Sequence, residues 1–205
     1  MTSLWGPMGW MTLHSVSYLY PERPSNADRA ILRRYVELFR DTITCIHCHN
    51  HFKAVFQNYT SLHPEWADSR FDFFLFVSRA HNTVNARLNK PKPDSVESCI
   101  SAFKSNSVVT SALTYRTKYI EYLMRTWSME MSGDSMIKVG LVKELRKITQ
   151  EYWNNKRDMS TSSFDMKANV LDLIADDTPS ARSLSSVVAG PMNIGLRGGR
   201  FQLRR

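Results

Sequence analysis

Thr44-Cys45-Ile46-His47-Cys48-His49-Asn50-His51 holds two of the chain's three cysteines and three of its six histidines. Phe52, Val55 and Phe56 follow at helical spacing, so the C-x-x-C is predicted to open a helix. Free backbone N–H groups and the helix dipole at such a start favour a thiolate over a thiol. An imidazolium at His47 or His49 would act in the same direction. A cysteine pair placed there can close into a redox disulfide, clamp a metal or attach a haem.

Spacing alone leaves all three open. Cys45 to His49 spells the C-x-x-C-H of c-type haem attachment, which needs export to a haem-attaching compartment. Zinc could recruit His47, His49, His51 or Cys99, but there is no second C-x-x-C. Three cysteines in 205 residues are too few for a disulfide scaffold. The start of the chain, Met1 to Pro7, lacks the charged and apolar regions of a signal peptide. No stretch approaches the ~20 apolar residues that span a bilayer. The expectation is a soluble protein made in the cytosol.

Working outward from the cysteines, amphipathic periodicity recurs on both sides. Residues 8–20 read as a first helix, ended by Tyr20-Pro21-Glu22-Arg23-Pro24. Ser25 or Asn26 can cap a second, with Leu32, Tyr35, Val36 and Phe39 on its apolar face. Thr42-Ile43-Thr44 breaks the chain before the cysteine helix. A fourth helix is expected over roughly 67–89, and a short fifth from Ser95 to Lys104. Two more amphipathic helices are expected near 107–128 and 136–154, with a shorter helical run from Phe164 to Ile174. With 42% hydrophobic residues the chain can bury a core. No strand pattern of useful length occurs. The predicted fold class is all-α: a four-helix bundle plus a short fifth helix, with a helical C-terminal extension.

Two helical stripes sharpen the reading. Trp10, His14 and Tyr18 recur every four residues on the first helix. On the fourth, His81, Asn82, Val84, Asn85 and Leu88 lie near Phe74 and Val77. Isolated His and Asn residues on such stripes also occur as satisfied core groups. Two stripes together with C-x-x-C suggest a planar, polar-edged cofactor between helices.

The set Trp10-x-x-Leu13-His14, Tyr20-Pro21, Cys45-x-x-Cys48 and His81-Asn82-x-Val84-Asn85-x-x-Leu88-x-Lys90-Pro91 resembles the Erv/ALR family of FAD-linked sulfhydryl oxidases. The likeness covers about residues 5–105. Trp5-Gly6-Pro7-x-x-Trp10 and the run from Asn85 to Lys90 look most like members encoded by large DNA viruses. The resemblance implies FAD inside a four-helix bundle, disulfide formation in client thiols, and transfer of the electrons to O₂ to give hydrogen peroxide. It implies Cys45 and Cys48 as the catalytic pair, with Cys48 nearer the flavin and Cys45 facing the incoming thiol. It implies cofactor contacts from Trp10, His14 and Tyr18 on the first helix. Those from the fourth are His81, Asn82, Val84, Asn85, Leu88 and Lys90, and no metal is implied.

Some features depart from the family. Its structural disulfide positions fall at Ser78 and Ser95, so Cys99 is expected to be a buried or idle thiol. Arg79 stands where cellular members often carry a second His. No shuttle C-x-x-C is present, so client thiols reach Cys45 directly or through a thioredoxin-like carrier. The expected organisation is an FAD-binding domain over 1–105, a helical extension for dimerisation or partner docking over 106–177, and a flexible basic tail over 178–205. A homodimer is expected, since the family's bundles usually pair through their first two helices. The tail's Arg182, Arg197, Arg200, Arg204 and Arg205 could meet nucleic acid or an acidic virion protein. The implied setting is infected-cell cytoplasm or a virion, ahead of the mitochondrial intermembrane space. The alternative is a non-enzymatic helical assembly module with structural zinc or a disulfide at Cys45 and Cys48.

Overall fold

The computed structural model describes residues 2–130 and 133–175, and within them every regular element is helical. In chain order these are α1 (Thr2–Leu19), α2 (Asn26–Thr42), α3 (Ile46–Leu62), α4 (Arg70–Arg87), α5 (Val96–Val109), α6 (Ala112–Met129) and α7 (Ser135–Glu151). A 3₁₀ turn, Trp153–Asn155, follows α7.

Local chemistry sets most of the helix starts. Ser25 caps α2 in a reciprocal box with Asp28, and Ser69 caps α4 by accepting from Asp72 N. Ser95 caps α5 in a box with Ser98, so the serine at the family's disulfide position starts a helix here. Helix α1 begins earlier than the expected residue 8 and contains Pro7 in its second turn. At this sixth position the proline forgoes one intrahelical bond, the one its N–H would make to Ser3 O.

Helices α1 to α4 form the bundle, with α1 against α4 and α3 against both α2 and α4. Helices α6 and α7 form a hairpin on its flank, α6 along α1 and α7 along α2. One core runs through both parts, from Leu13, Tyr35, Phe39, Phe52 and Phe76 to Tyr119, Leu123, Val142, Leu145 and Trp153. The late helices thus dock on the bundle of their own chain. Gly9 permits the close approach of α6, because a Cβ there would meet the Tyr119 ring at 3.3 Å and Phe39 at 3.4 Å. Arg116, buried in α6, donates to Ser15 Oγ of α1 at 3.0 Å and to Asn154 Oδ1 at 3.1 Å.

The expected helix from Phe164 to Ile174 does not form. Asp165 Oδ1 accepts from Lys167 N and Asn169 Oδ1 from Leu171 N, both at 2.9 Å. Such local side-chain bonds compete with helical ones. Residues 156–175 instead run as an irregular strap tied down mainly by α4. Arg70 donates to Asp158 and to Ser160 O, and Arg79 Nε to Asn169 O. Asn82 Nδ2 donates to Val170 O, and Thr83 Oγ1 accepts from Ile174 N. The strap closes a second apolar cluster of Tyr18, Phe74, Cys99, Ile100, Phe103, Phe164 and Val170. The basic tail over 178–205, with its five arginines, lies outside the described residues.

Candidate functional site

Cys45 is the N-cap of α3: its Sγ accepts from Cys48 N at 3.3 Å. The cap position and the three-residue step bring the two Cα atoms to 5.2 Å, and the sulfurs are bonded as a disulfide. Both cysteines are half-buried, while Ile46 between them is 63% exposed. A disulfide at a helix start meets unpaired N–H groups, which would stabilise a departing thiolate.

The disulfide lies on the wall of a cleft of about 1010 Å³ between α1, α3 and α4. The same cleft is lined by Trp10 and His14 from α1 and His81, Val84 and Asn85 from α4, together with the exposed Leu88 and Lys90. Trp10 stacks on His81 at 4.3 Å between ring centres and 10° between planes. His14 Nε2 and His81 Nδ1 are 3.0 Å apart, one donating to the other. Both rings face the cleft but sit deep among protein atoms. Burial holds the His14 pKa down to about 4, and burial, with the His14 and Lys90 charges, takes His81 well below its ordinary value. Both are therefore neutral at pH 7. His14 Nδ1 is buried with no partner among the described residues.

Lys90 reaches the rim because α4 ends in a left-handed cap. Asn89 has φ 53°, and Lys90 N donates to Asn85 O at 2.8 Å, six residues to one, as in a Schellman turn. Asparagine is among the few side chains that accept this backbone.

Two expected contacts fall elsewhere. Tyr18 is eight residues from Trp10, which at 3.6 residues per turn rotates it about 80° around α1. Its ring packs on Phe103 at 4.4 Å and on Phe74 in the second cluster. Asn82 is one residue, about 100°, from His81. It is 1% exposed, and its amide donates to Pro93 O and Val170 O, each at 2.9 Å. It ties α4 to the strap and does not line the cleft. Arg79 is likewise taken up by the strap.

Other cleft residues gave no separable signal in the sequence. His47 and His51 belong to the cysteine stretch but could not be ranked by spacing. Asn106 and Tyr115 line the far end of the cleft. Tyr115 belongs to α6, so the extension contributes to the site, and only docking of α6 on α1 brings it there. Cys99 is buried and unbonded, and burial raises its thiol pKa. Among the described residues no three His, Cys, Asp or Glu side chains converge as a metal site requires. No described helix is long and apolar enough to cross a membrane.

The arrangement is suited to thiol–disulfide exchange beside a ligand with a flat face and polar edges. Aromatic and apolar walls would take the face, and His14, His81, Asn85 and Lys90 the edge. The unpartnered His14 nitrogen fits such an edge.

Residues 7–107 match the Erv1 / Alr family. The putative FAD-linked sulfhydryl oxidase 096R of Invertebrate iridescent virus 3 is 34% identical over 94 residues, 43% of this chain and 59% of that protein. The FAD-linked sulfhydryl oxidase erv2 of Schizosaccharomyces pombe is 33% identical over 112 residues, 55% of this chain and 53% of that protein. The FAD-linked sulfhydryl oxidase of African swine fever virus (isolate Tick/Malawi/Lil 20-1/1983) is 28% identical over 86 residues, 42% and 69% of the two chains. The chain spans about half the length of the curated relatives it matches. No solved structure matches.

Proposed function

We propose, from the premise that residues 7–107 are a domain of the Erv1 / Alr family, that this chain is an FAD-dependent thiol oxidase making disulfides in client proteins. The observation that carries the reading is the Cys45–Cys48 disulfide set in the wall of a cleft of about 1010 Å³, facing the Trp10, His14 and His81 side chains.

The exchange runs at the disulfide. A client thiolate attacks Cys45 Sγ, the Cys45–Cys48 bond breaks, and Cys48 leaves as a thiolate stabilised by the N-terminus of α3. The client's second thiolate then breaks the mixed disulfide and releases Cys45. The client has lost two electrons, and the pair has gained them. His14, His81, Asn85 and Lys90 would hold and orient the FAD, with Trp10 against its ring system. Their neutral imidazoles can exchange hydrogen bonds at its edge without adding charge. Bound there, FAD supplies a two-electron acceptor that O₂ reoxidises with release of hydrogen peroxide. Both cysteines line the cleft, and in this reading Cys48 takes the flavin-facing role and Cys45 the client-facing one.

Client protein thiols, arriving directly or on a thioredoxin-like carrier, are the proposed substrates, and the exposed Ile46 beside Cys45 leaves room for them. The expected homodimer would need faces other than those of α1 and α2 that α6 and α7 already cover. The division into an oxidase domain over 1–105, an extension over 106–177 and a basic tail over 178–205 belongs to the same proposal. So does action in infected-cell cytoplasm or a virion, in line with the viral relatives.

The test is optical. The purified protein should be yellow, bleach with dithiothreitol under argon and recover in air with uptake of oxygen. Cys45→Ser and Cys48→Ser should each lose turnover by more than about 1000-fold while keeping the yellow colour, because neither sulfur anchors the cofactor. A colourless protein that takes up no FAD would end the oxidase reading.

A further inference from the structure

The extension meets the redox pair at residues 41–45, the end of α2 and the link from it to α3. The last carbonyls of a helix have no intrahelical donor and carry the negative end of its dipole. At the end of α2 these groups are taken by side chains from beyond residue 120. Lys138 Nζ donates to Asp41 O at 2.6 Å, and Trp127 Nε1 donates to Thr42 O at 2.9 Å. Tyr122 OH and Thr44 Oγ1 share a hydrogen bond of 3.1 Å. The Lys138 ammonium also lies 5.7 Å from the centre of the Trp127 ring. Trp127 and Thr42 are buried, so a lost donor would leave a carbonyl unpaired away from water. The next residue after Thr44 is Cys45 itself.

We infer that Tyr122, Trp127 and Lys138 are positioning residues for the Cys45–Cys48 pair. By this assignment the extension, outside the family-matched bundle, sets how readily the pair is reduced. The inference rests on reading that pair as the redox centre. Once the S–S bond opens, the chance that the sulfurs meet again depends on how far Cys45 can wander from Cys48. Ties on Asp41, Thr42 and Thr44 restrict that movement from the N-terminal side. Their loss lowers the effective concentration of one thiol at the other, so the disulfide becomes less favoured and its potential rises. The ties act through Cys45 and touch neither client nor cofactor.

Three variants of the full chain test this: Tyr122→Phe, Trp127→Phe and Lys138→Met, each keeping most of the packing while removing one donor. Each protein is equilibrated under argon with mixtures of reduced and oxidised dithiothreitol, free thiols are trapped by alkylation, and the fraction of open pair is counted by mass. Trp127→Phe and Lys138→Met should each make the pair about threefold to tenfold easier to reduce, tenfold being about 30 mV for a two-electron couple. Tyr122→Phe should shift it less, since its bond is to the Thr44 hydroxyl and leaves no backbone carbonyl unpaired. Flavin absorbance per chain should stay at the wild-type value. Should a variant fail to fold, Thr44→Val removes the Tyr122 bond from the other side. Unmoved equilibria in folded variants would overturn the inference and leave the oxidase reading intact. A wild-type chain whose pair is reduced without bleaching the flavin would instead overturn the oxidase reading.

Discussion

Residues 7–107 and residues 108–175 bury aromatic side chains to similar depth but use their polar groups in opposite ways. In the first region His14, His81 and Asn85 face a cleft, and His14 Nδ1 has no partner among the described residues. In the second, several polar groups are used in ties, although Tyr119 OH and Trp153 Nε1 stay buried without a partner among the described residues. Arg116 reaches Ser15 and Asn154, Trp127 reaches Thr42, and Lys138 reaches Asp41. Arg34 and Glu144 make a bidentate pair between α2 and α7 at 2.8 and 2.7 Å. That pair is about two-fifths exposed on each side, so it contributes under ~1 kcal/mol. The apolar seam does the larger share of the docking. The cleft keeps polar groups of α1 and α4 available to a ligand, whereas the ties of the hairpin hold it to the bundle.

The comparison breaks most visibly if the extension is removed. A chain ending at Thr110 should expose the α1 and α2 faces that now meet Tyr119, Leu123, Val142 and Leu145, and should self-associate in light scattering. A truncated chain that stays monomeric and melts like the full protein would mean the hairpin is an independent unit.

Point substitutions sharpen the same contrast. Leu145, fully buried under the hairpin, should cost about 2–5 kcal/mol in urea unfolding when changed to Ala. Leu88, on the cleft rim and 52% exposed, should cost less than about 1 kcal/mol for the same change. Equal losses would erase the distinction between covering seam and open cleft.

Acid should weaken the first region specifically. Folding lowers the pKa of His14 from 6.5 to about 4, so the unfolded chain takes up that proton first. Stability from this group is therefore complete above about pH 6.5 and is lost as pH falls towards 4. The loss should be about 3 kcal/mol. Thermal melting of wild type and His14→Phe across that range measures it: the variant should show a flatter profile, and parallel profiles would refute the assignment.

The smallest effect separates two neighbouring asparagines. Asn82→Ala leaves the carbonyls of Pro93 and Val170 without a donor and should cost about 1–2 kcal/mol with flavin content unchanged. Asn85→Ala should show the reverse, lower flavin occupancy with nearly unchanged melting. Identical behaviour would mean that Asn82 also serves the cleft.

Much of this is legible in the sequence. Periodicity and caps located α2, α3 and the start of α5, because Ser25 and Ser95 announce their helices locally. The break at Thr42 to Thr44 and the cysteine pair at a helix start were readable for the same reason. The expected helical run from Phe164 to Ile174 is the exception, since Phe164, Val170 and Ile174 are buried by an irregular strap. Asp165 and Asn169 sit between them and bond to their own backbone, which ends any helix there.

What the sequence by itself determined is the set of local decisions. They include where helices start, the three-residue step that lets Cys45 and Cys48 bond, and the likeness carried by Trp10, His14, His81 and Asn85. Only the tertiary structure decided which of those residues share a space. Tyr18 was turned from the cleft by the drift of a 3.6-residue helix over eight positions. Asn82 was claimed by a strap 88 residues further along the chain. Tyr115 was brought to the cleft, and Trp127 and Lys138 to the stretch before Cys45, by the docking of α6 and α7. A local pattern records the face of its own helix, but the partner of that face depends on packing between segments far apart in the chain.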